Sequence, residues 1–393
     1  VTKKLYYTAP DVAAWTTTVT GIRQDGETYV VTLAETGFYP EGGGQPSDAG
    51  TIAGLPVLEV FEENEEVYHR LPAPPGTGAV SCAIDMARRR DHTQQHSGQH
   101  LLSAVFIEQL GAETVSFHLG RDVVTIDLAI EALSEQELLA AENRANELIY
   151  ANLPVETYWV TPEKAERMPF RKRPDVSGNV RVVEIKGIDL SACCGTHVKR
   201  TGEIGLIKLL KAERHRGMTR LSFLCGQRAL ADYQQSHRIV QAAAGRFGTS
   251  RGQLLEVIAK WEHEKKELEK RLRQYEGIVF AVEGERAAAK PGRMVIGRYS
   301  QYGAKELQTI ARLIADRYGK TSLLASLTDW RAVIVKAPSS PLHAGNWLKE
   351  QAAPFGGKGG GNERQAQAFF PSLESLEQFL ARVETANIDD RSY

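Results

Sequence analysis

The chain has 393 residues, more than one domain usually holds, so two to four domains are expected. Its 42% apolar and 25% charged residues exclude collagen-like and wholly disordered chains, and 48 Lys and Arg against 49 Asp and Glu leave a formal charge of −1, so any basic surface must be local. No apolar run approaches the roughly 20 residues that span a bilayer, the N-terminus lacks the apolar core of a secretory signal, and four cysteines are too few for a disulfide framework; together these point to a reducing cytosol, where clustered Cys and His more often mean metal.

Residues 1–88 read as a β-rich domain. Thr28–Ala34 is rich in β-branched residues between Gly26 and Gly37, and Val57–Phe61 and Ala79–Ile84 read the same way. Gly42, Gly43 and Gly44 form a loop ahead of Pro46. From Asp91 the pattern turns helical: Leu101, Leu102, Val105, Phe106 and Leu110 recur at helical spacing and Gly111 supplies a stop. Ser134-Glu-Gln-Glu137 is a capping box opening a second helix. Strand-like runs at 123–128, 155–160, 180–185, 204–210 and 221–224 complete an α+β domain over 89–230.

Residues 231–277 are mostly helix-forming, with a break at Gly245–Gly252. Leu254, Ile258, Trp261, Lys265, Leu268, Leu272 and Tyr275 alternate steps of four and three, the spacing of a short coiled-coil seam or a helical hairpin. Residues 278–393 read as a small α/β domain with strands near 294–296, 322–327 and 332–335 and helices over 306–318 and 342–352. The fold class is thus α+β multidomain.

Two distant motifs offer metal ligands. His96-Ser-Gly-Gln-His100 puts two imidazoles on one helical face, and Cys193-Cys-Gly-Thr-His197 supplies a thiolate and an imidazole across a tight glycine turn. Either alone is better explained by a satisfied core histidine or a buried thiol. Together, nitrogen and thiolate donors with tetrahedral preference point to one zinc ion per chain. Whether three or four ligands hold it, and hence whether it is catalytic or structural, stays open; His197 is the candidate to stand aside.

In order, Gly37-Phe-Tyr-Pro-Glu-Gly-Gly-Gly-Gln-Pro-Ser-Asp48, His96-Ser-Gly-Gln-His-Leu-Leu102 and Cys193-Cys-Gly-Thr-His-Val198 resemble the editing half of alanyl-tRNA synthetase, and most of all its freestanding AlaX trans-editing relatives. Arg216-Gly-Met-Thr-Arg-Leu221 resembles the segment that closes the editing domain, and Gly356-Gly-Lys-Gly-Gly-Gly361 the glycine-rich loop of the DHH-associated domain of long AlaX proteins. One departure is Cys194, where the synthetase pattern usually has Gly. With no aminoacylation domain expected upstream, the resemblance implies a cytoplasmic hydrolase acting in trans on tRNA(Ala) mischarged with Ser or Gly, built as a β-barrel-like domain, a zinc editing domain, a helical linker and a DHH-associated domain.

The resemblance also assigns sites. His96, His100, Cys193 and His197 become the metal and catalytic set. Gly42, Gly43, Gly44 and Gln45 become a pocket wall that orients substrate or water, and Ser116 and His118 fall in the family's pocket segment. Residues 164–220 hold fourteen Lys and Arg against six Asp and Glu, an excess that suits phosphate contacts; Arg88, Arg89, Arg90, Arg216 and Lys358 join them as tRNA-binding candidates. The seam or the C-terminal domain offers a route to a homodimer, and no membrane partner is expected. Two rivals stand beside this reading: a structural-zinc RNA-binding module without hydrolysis, and a DHH-related phosphodiesterase, for which Asp91-His92-Thr93 is a poor metal cluster.

Overall fold

The computed structural model describes residues 1–174, 178–292 and 294–389. The chain divides into two compact units, Val1–Ala243 and Ala244–Tyr393, in a mixed α and β architecture.

The first unit opens with a seven-stranded antiparallel sheet. Its spatial order is Leu55–Pro56, Gly50–Ile52, Ala79–Ile84, Ala14–Asp25, Thr28–Leu33, Glu66–Leu71, Glu59–Glu63. The two outermost strands are separated in sequence only by Val57 and Leu58. The Val57 amide donates to Gly50 at 2.9 Å and the Leu58 amide to Arg70 at 2.9 Å, so one continuous stretch draws the sheet's ends together. The curled sheet encloses Val31, Leu33, Phe38, Ile52, Val60, Val67 and Leu71. The strand Ala14–Asp25 carries no legible sequence signal because most of its residues are polar and solvent-facing.

The helix Met86–Leu110 starts five residues ahead of the expected Asp91, because Asp85 caps it, accepting from the Ala87 and Arg88 amides at 3.0 and 3.1 Å. Gly111, at φ 63°, ends it. Every residue from Gln95 to Phe106 is buried, so this helix is wrapped on all sides rather than on one apolar stripe. Against it lie the antiparallel sheet ordered Thr114–Leu119, Val124–Leu128, Met218–Cys225, Ile207–His215, and the helix Glu135–Tyr150. Ser134 and Glu137 form the expected capping box, each side chain bonded to the other's amide. A three-stranded sheet of Val155–Val160, Val180–Ile185 and Asp189–Ala192 delivers the chain directly into Cys193.

The second unit contains the helix Leu254–Ala288, which runs through Gly277 where a boundary was expected. One helical glycine costs only about 1 kcal/mol, and the last turns are held by burial: Phe280, Ala287 and Ala288 pack with Leu307, Ile310 and Ile314 of the helix Ala304–Tyr318. The sheet order is Met294–Tyr299, Thr321–Ser326, Arg331–Val335, Gln365–Phe369, Lys358–Gly361, parallel only in its first pair. The glycine run expected as a loop therefore forms an edge strand. Its glycines are required by close approach: a Cβ at Gly359 would lie 2.0 Å from the Gln367 carbonyl, and one at Gly361 2.1 Å from that of Gln365. The helix Leu373–Asp389 buries Leu376, Phe379, Leu380 and Val383, a helical spacing the sequence did carry. Among the described residues no helix is long and apolar enough to cross a membrane.

Candidate metal centre

His96 and His100 stand one turn apart on the buried helix, and Cys193 and His197 arrive from the end of the Asp189–Ala192 strand. The four donor atoms lie within 4.8 Å of one another. Cys193 Sγ is 3.4 Å from His96 Nε2 and 3.3 Å from His197 Nε2. Glycine makes the turn possible: a Cβ at Gly195 would lie 2.2 Å from the His96 ring. Cys194 is exposed and its thiol reaches Tyr7, so it stays out of the cluster.

Each histidine has a polar group behind its other ring nitrogen, hydrogen-bonded at His96 and His197 and only facing a carboxylate at His100. His96 Nδ1 donates to Gln45 Oε1 at 2.8 Å, His197 Nδ1 lies 3.2 Å from Ser97 Oγ, and His100 Nδ1 lies 3.4 Å from Asp189 Oδ2. Such outer partners fix ring orientation and leave Nε2 to an ion. Asp189 is itself pinned by Arg171 Nε at 2.8 Å and by Ser191 Oγ at 2.8 Å. Burial disfavours the charged His100 ring, but Asp189 and Cys193 outweigh it and hold its pKa up at about 9. Burial likewise raises the Cys193 thiol, yet the three imidazoles outweigh it and hold it well below the ordinary thiol range. Burial pushes His197 down to about 3. The cluster thus favours the thiolate that metal binding needs.

The remaining candidates separate by geometry. Gln45 is fully buried. Besides His96, its Oε1 accepts from the Thr196 amide at 3.1 Å, and its Nε2 donates to Thr196 Oγ1 at 2.9 Å. It is therefore a positioning residue, tying the glycine loop to the cysteine loop, rather than a group free to orient water. Gly42 and Gln45 close a two-residue turn through reciprocal backbone bonds, with Gly43 at φ 57° and Gly44 at φ 82°. Gly44 lies against Phe117, where a Cβ would meet the ring at 2.9 Å. Phe117 stacks on His96 with centroids 5.1 Å apart. Strand alternation turns its neighbours Ser116 and His118 the other way. Ser116 donates to Asp127 at 2.6 Å, and His118 is exposed.

The expected basic surface is also revised. Arg89 is buried, ion-paired with Asp48 and donating to Gly37 O at 2.6 Å, so its charge is not available to a phosphate. Part of the 164–220 excess is neutralised in space by acids from outside that window: Lys199 by Asp11, Lys208 by Glu142, Arg214 by Glu131 and Arg220 by Asp127; Arg171 pairs with Asp189 inside it. Arg181 donates to the Cys193 and Gly195 carbonyls at 2.8 and 2.9 Å, bracing the cysteine loop. Arg216 is exposed at a hairpin turn, Arg88 and Arg90 are exposed near the start of the long helix, and Lys358 is exposed on the second unit's edge strand. Asp189, Ser97 and Phe117 were not foreseen. Asp189, Ser191 and Cys193 share a period of two, which is the signal that could have found the first of them.

Residues 180–222 match the family described as "Threonyl and Alanyl tRNA synthetase second additional domain", and residues 292–387 match the DHHA1 domain. The chain is 28% identical over 405 residues to the alanyl-tRNA editing protein AlaX-L of Pyrococcus horikoshii, covering 96% of this chain and 99% of that protein. It is 35% identical over 246 residues to the alanyl-tRNA editing protein Aarsd1-A of Xenopus laevis, covering 61% of this chain and 60% of that protein. It is also 30% identical over 403 residues to the alanine–tRNA ligase of Methanocorpusculum labreanum, covering 98% of this chain and 43% of the ligase. The chain thus spans about 60% of the length of such vertebrate relatives.

Proposed function

We propose that this chain, which belongs to the AlaX-type alanyl-tRNA editing proteins of the long form, hydrolyses in trans the ester joining serine or glycine to the 3′ end of tRNA(Ala). The observation that carries the reading is the convergence of His96, His100, Cys193 and His197, brought from two distant motifs within 4.8 Å of one another. The relatives named for alanyl-tRNA editing support the substrate class.

The donor set fits zinc: three imidazoles and a thiolate, with the outer nitrogens of His96 and His197 on Gln45 and Ser97 and that of His100 facing the Asp189 carboxylate. When bound, zinc supplies Lewis acidity toward an ester carbonyl or a water molecule. The chain's own residues supply the rest. Gln45, Ser97 and Asp189 hold the imidazoles in one orientation. Phe117 covers the face of His96 and keeps water from it. Arg181 fixes the cysteine loop, and the Gly195 amide donates to the thiolate at 3.3 Å. An aminoacyl ester is an activated bond, so an oriented site needs no nucleophilic Ser or Cys.

The experiment is a deacylation panel of Ser-, Gly- and Ala-tRNA(Ala) with the purified chain. Release of serine or glycine well ahead of alanine supports the reading; no release from any of the three ends it. The structural-zinc alternative predicts unfolding on chelation, whereas the hydrolase predicts lost activity with little change in melting. For the phosphodiesterase rival, Asp91 is ion-paired with Arg228, and among the described residues the four-residue cluster is the one group able to hold a metal. We also place self-association in the helix Leu254–Ala288, where Trp261, Leu268, Leu272 and Tyr275 are each at least half exposed.

A further inference from the structure

A cleft of about 700 Å³ opens beside the metal centre within the first unit. Three elements of the centre each continue into its wall. Pro46 follows Gln45, His92 stands one helical turn before His96, and Leu119 and Gly120 lie just past Phe117. Arg88, Arg90 and Arg121 line it and are exposed. Arg88 Nε is held by the Ser47 carbonyl at 3.0 Å, while Arg90 and Arg121 have no ion-pair partner among the described residues. A fourth arginine, Arg228, is neutralised: it pairs with Asp91 at 2.6 Å and donates to the Gly120 carbonyl at 2.8 Å, which stiffens the rim. Burial, followed by the charge on Arg88, pushes His92 down to about 4, so its imidazole adds no charge to the cleft at neutral pH. Ala87, Leu119 and Ala231 supply apolar surface between the arginines.

We propose that this cleft binds the last phosphodiesters of a single-stranded RNA 3′ end and so feeds the terminal nucleotide to the metal centre. The inference rests on the editing reading for its substrate and adds the site that holds the strand. Three guanidiniums without an ion-pair partner among the described residues, set along one cleft, suit successive phosphates of a strand.

The test uses the full chain and the Arg90→Glu/Arg121→Glu double variant. Both side chains are exposed, so the variant should melt with the wild type. A fluorescent, uncharged acceptor-stem minihelix ending in CCA is titrated at several salt concentrations. The variant should bind at least tenfold more weakly, with the slope of log affinity against log salt reduced by about 1.4, the loss of two single-strand phosphate contacts. A minihelix lacking CCA should bind both proteins alike. Equal binding of the CCA-ended RNA, or an arginine effect that survives removal of CCA, overturns the proposal. Hydrolysis of an aminoacyl ester of adenosine, which has no phosphate, is measured in parallel with the wild-type chain. If the wild type does not cleave it while RNA binding still depends on the arginines, the editing reading fails and the cleft assignment stands.

Discussion

Asp189 Oδ2 lies 3.4 Å from Nδ1 of His100, and Asp189 sits four residues before Cys193 on the strand that leads into it. One strand therefore orients a ligand on a distant helix and delivers a ligand of its own. Asp189→Asn removes the charge behind the ring while keeping its shape. We expect metal affinity to fall by about 10–100-fold, measured by competition with a chromophoric chelator. Unchanged affinity would show that the carboxylate merely fills space.

Removing a ligand outright should do more. His96→Ala and Cys193→Ala are expected to abolish release of serine from Ser-tRNA(Ala), a loss beyond the roughly 100-fold that outer partners cost, while tRNA binding persists. Full activity of the metal-stripped double variant would remove zinc from the mechanism.

Two glycines in the motifs should answer differently to alanine. At Gly195 the new Cβ meets the His96 ring at 2.2 Å, so Gly195→Ala should displace the imidazole and lower retained metal after dialysis, with an overpacking cost of about 1–3 kcal/mol. At Gly43 nothing lies within 4 Å, and the strain comes only from φ +57°, about 1–2 kcal/mol. Gly43→Ala should thus lower melting temperature and keep the metal.

His69 gives the sheet domain a pH response away from the metal. It is fully buried, bonded to Thr36 Oγ1 at 2.8 Å and Val31 O at 3.1 Å, and burial lowers its pKa to about 4. The folded value lies below the unfolded one, near 6.5. Its contribution is therefore complete above pH 6.5 and is lost as pH falls toward 4, where the unfolded chain binds the extra proton. The loss is on the order of 3 kcal/mol. Denaturant melts from pH 7 to pH 4 should show it, and His69→Asn should flatten the profile.

Leu268 and Leu272 are 62% and 57% exposed on a helix that no other described residues cover there. Replacing both with Asp should convert a dimer to monomer in sedimentation at unchanged helicity. A wild-type chain that sediments as a monomer would remove the seam from the account.

What is local was legible in one dimension. The His96–His100 spacing, the Cys193–His197 turn, the Ser134 capping box and the strand Val155–Val160 all follow from neighbours within a few residues, where helical and strand periods act. Tertiary structure decided which partner each polar group meets. Gln45 finds His96 and Thr196 across 51 and 151 residues, so a presumed substrate contact becomes a brace. Arg89 turns inward to Asp48, and acids far along the chain neutralise part of a basic window that stood out in one dimension. The glycine run became an edge strand for the same reason: its backbone fits against Gln365–Phe369 only without side chains, and no local pattern encodes the approach of another strand.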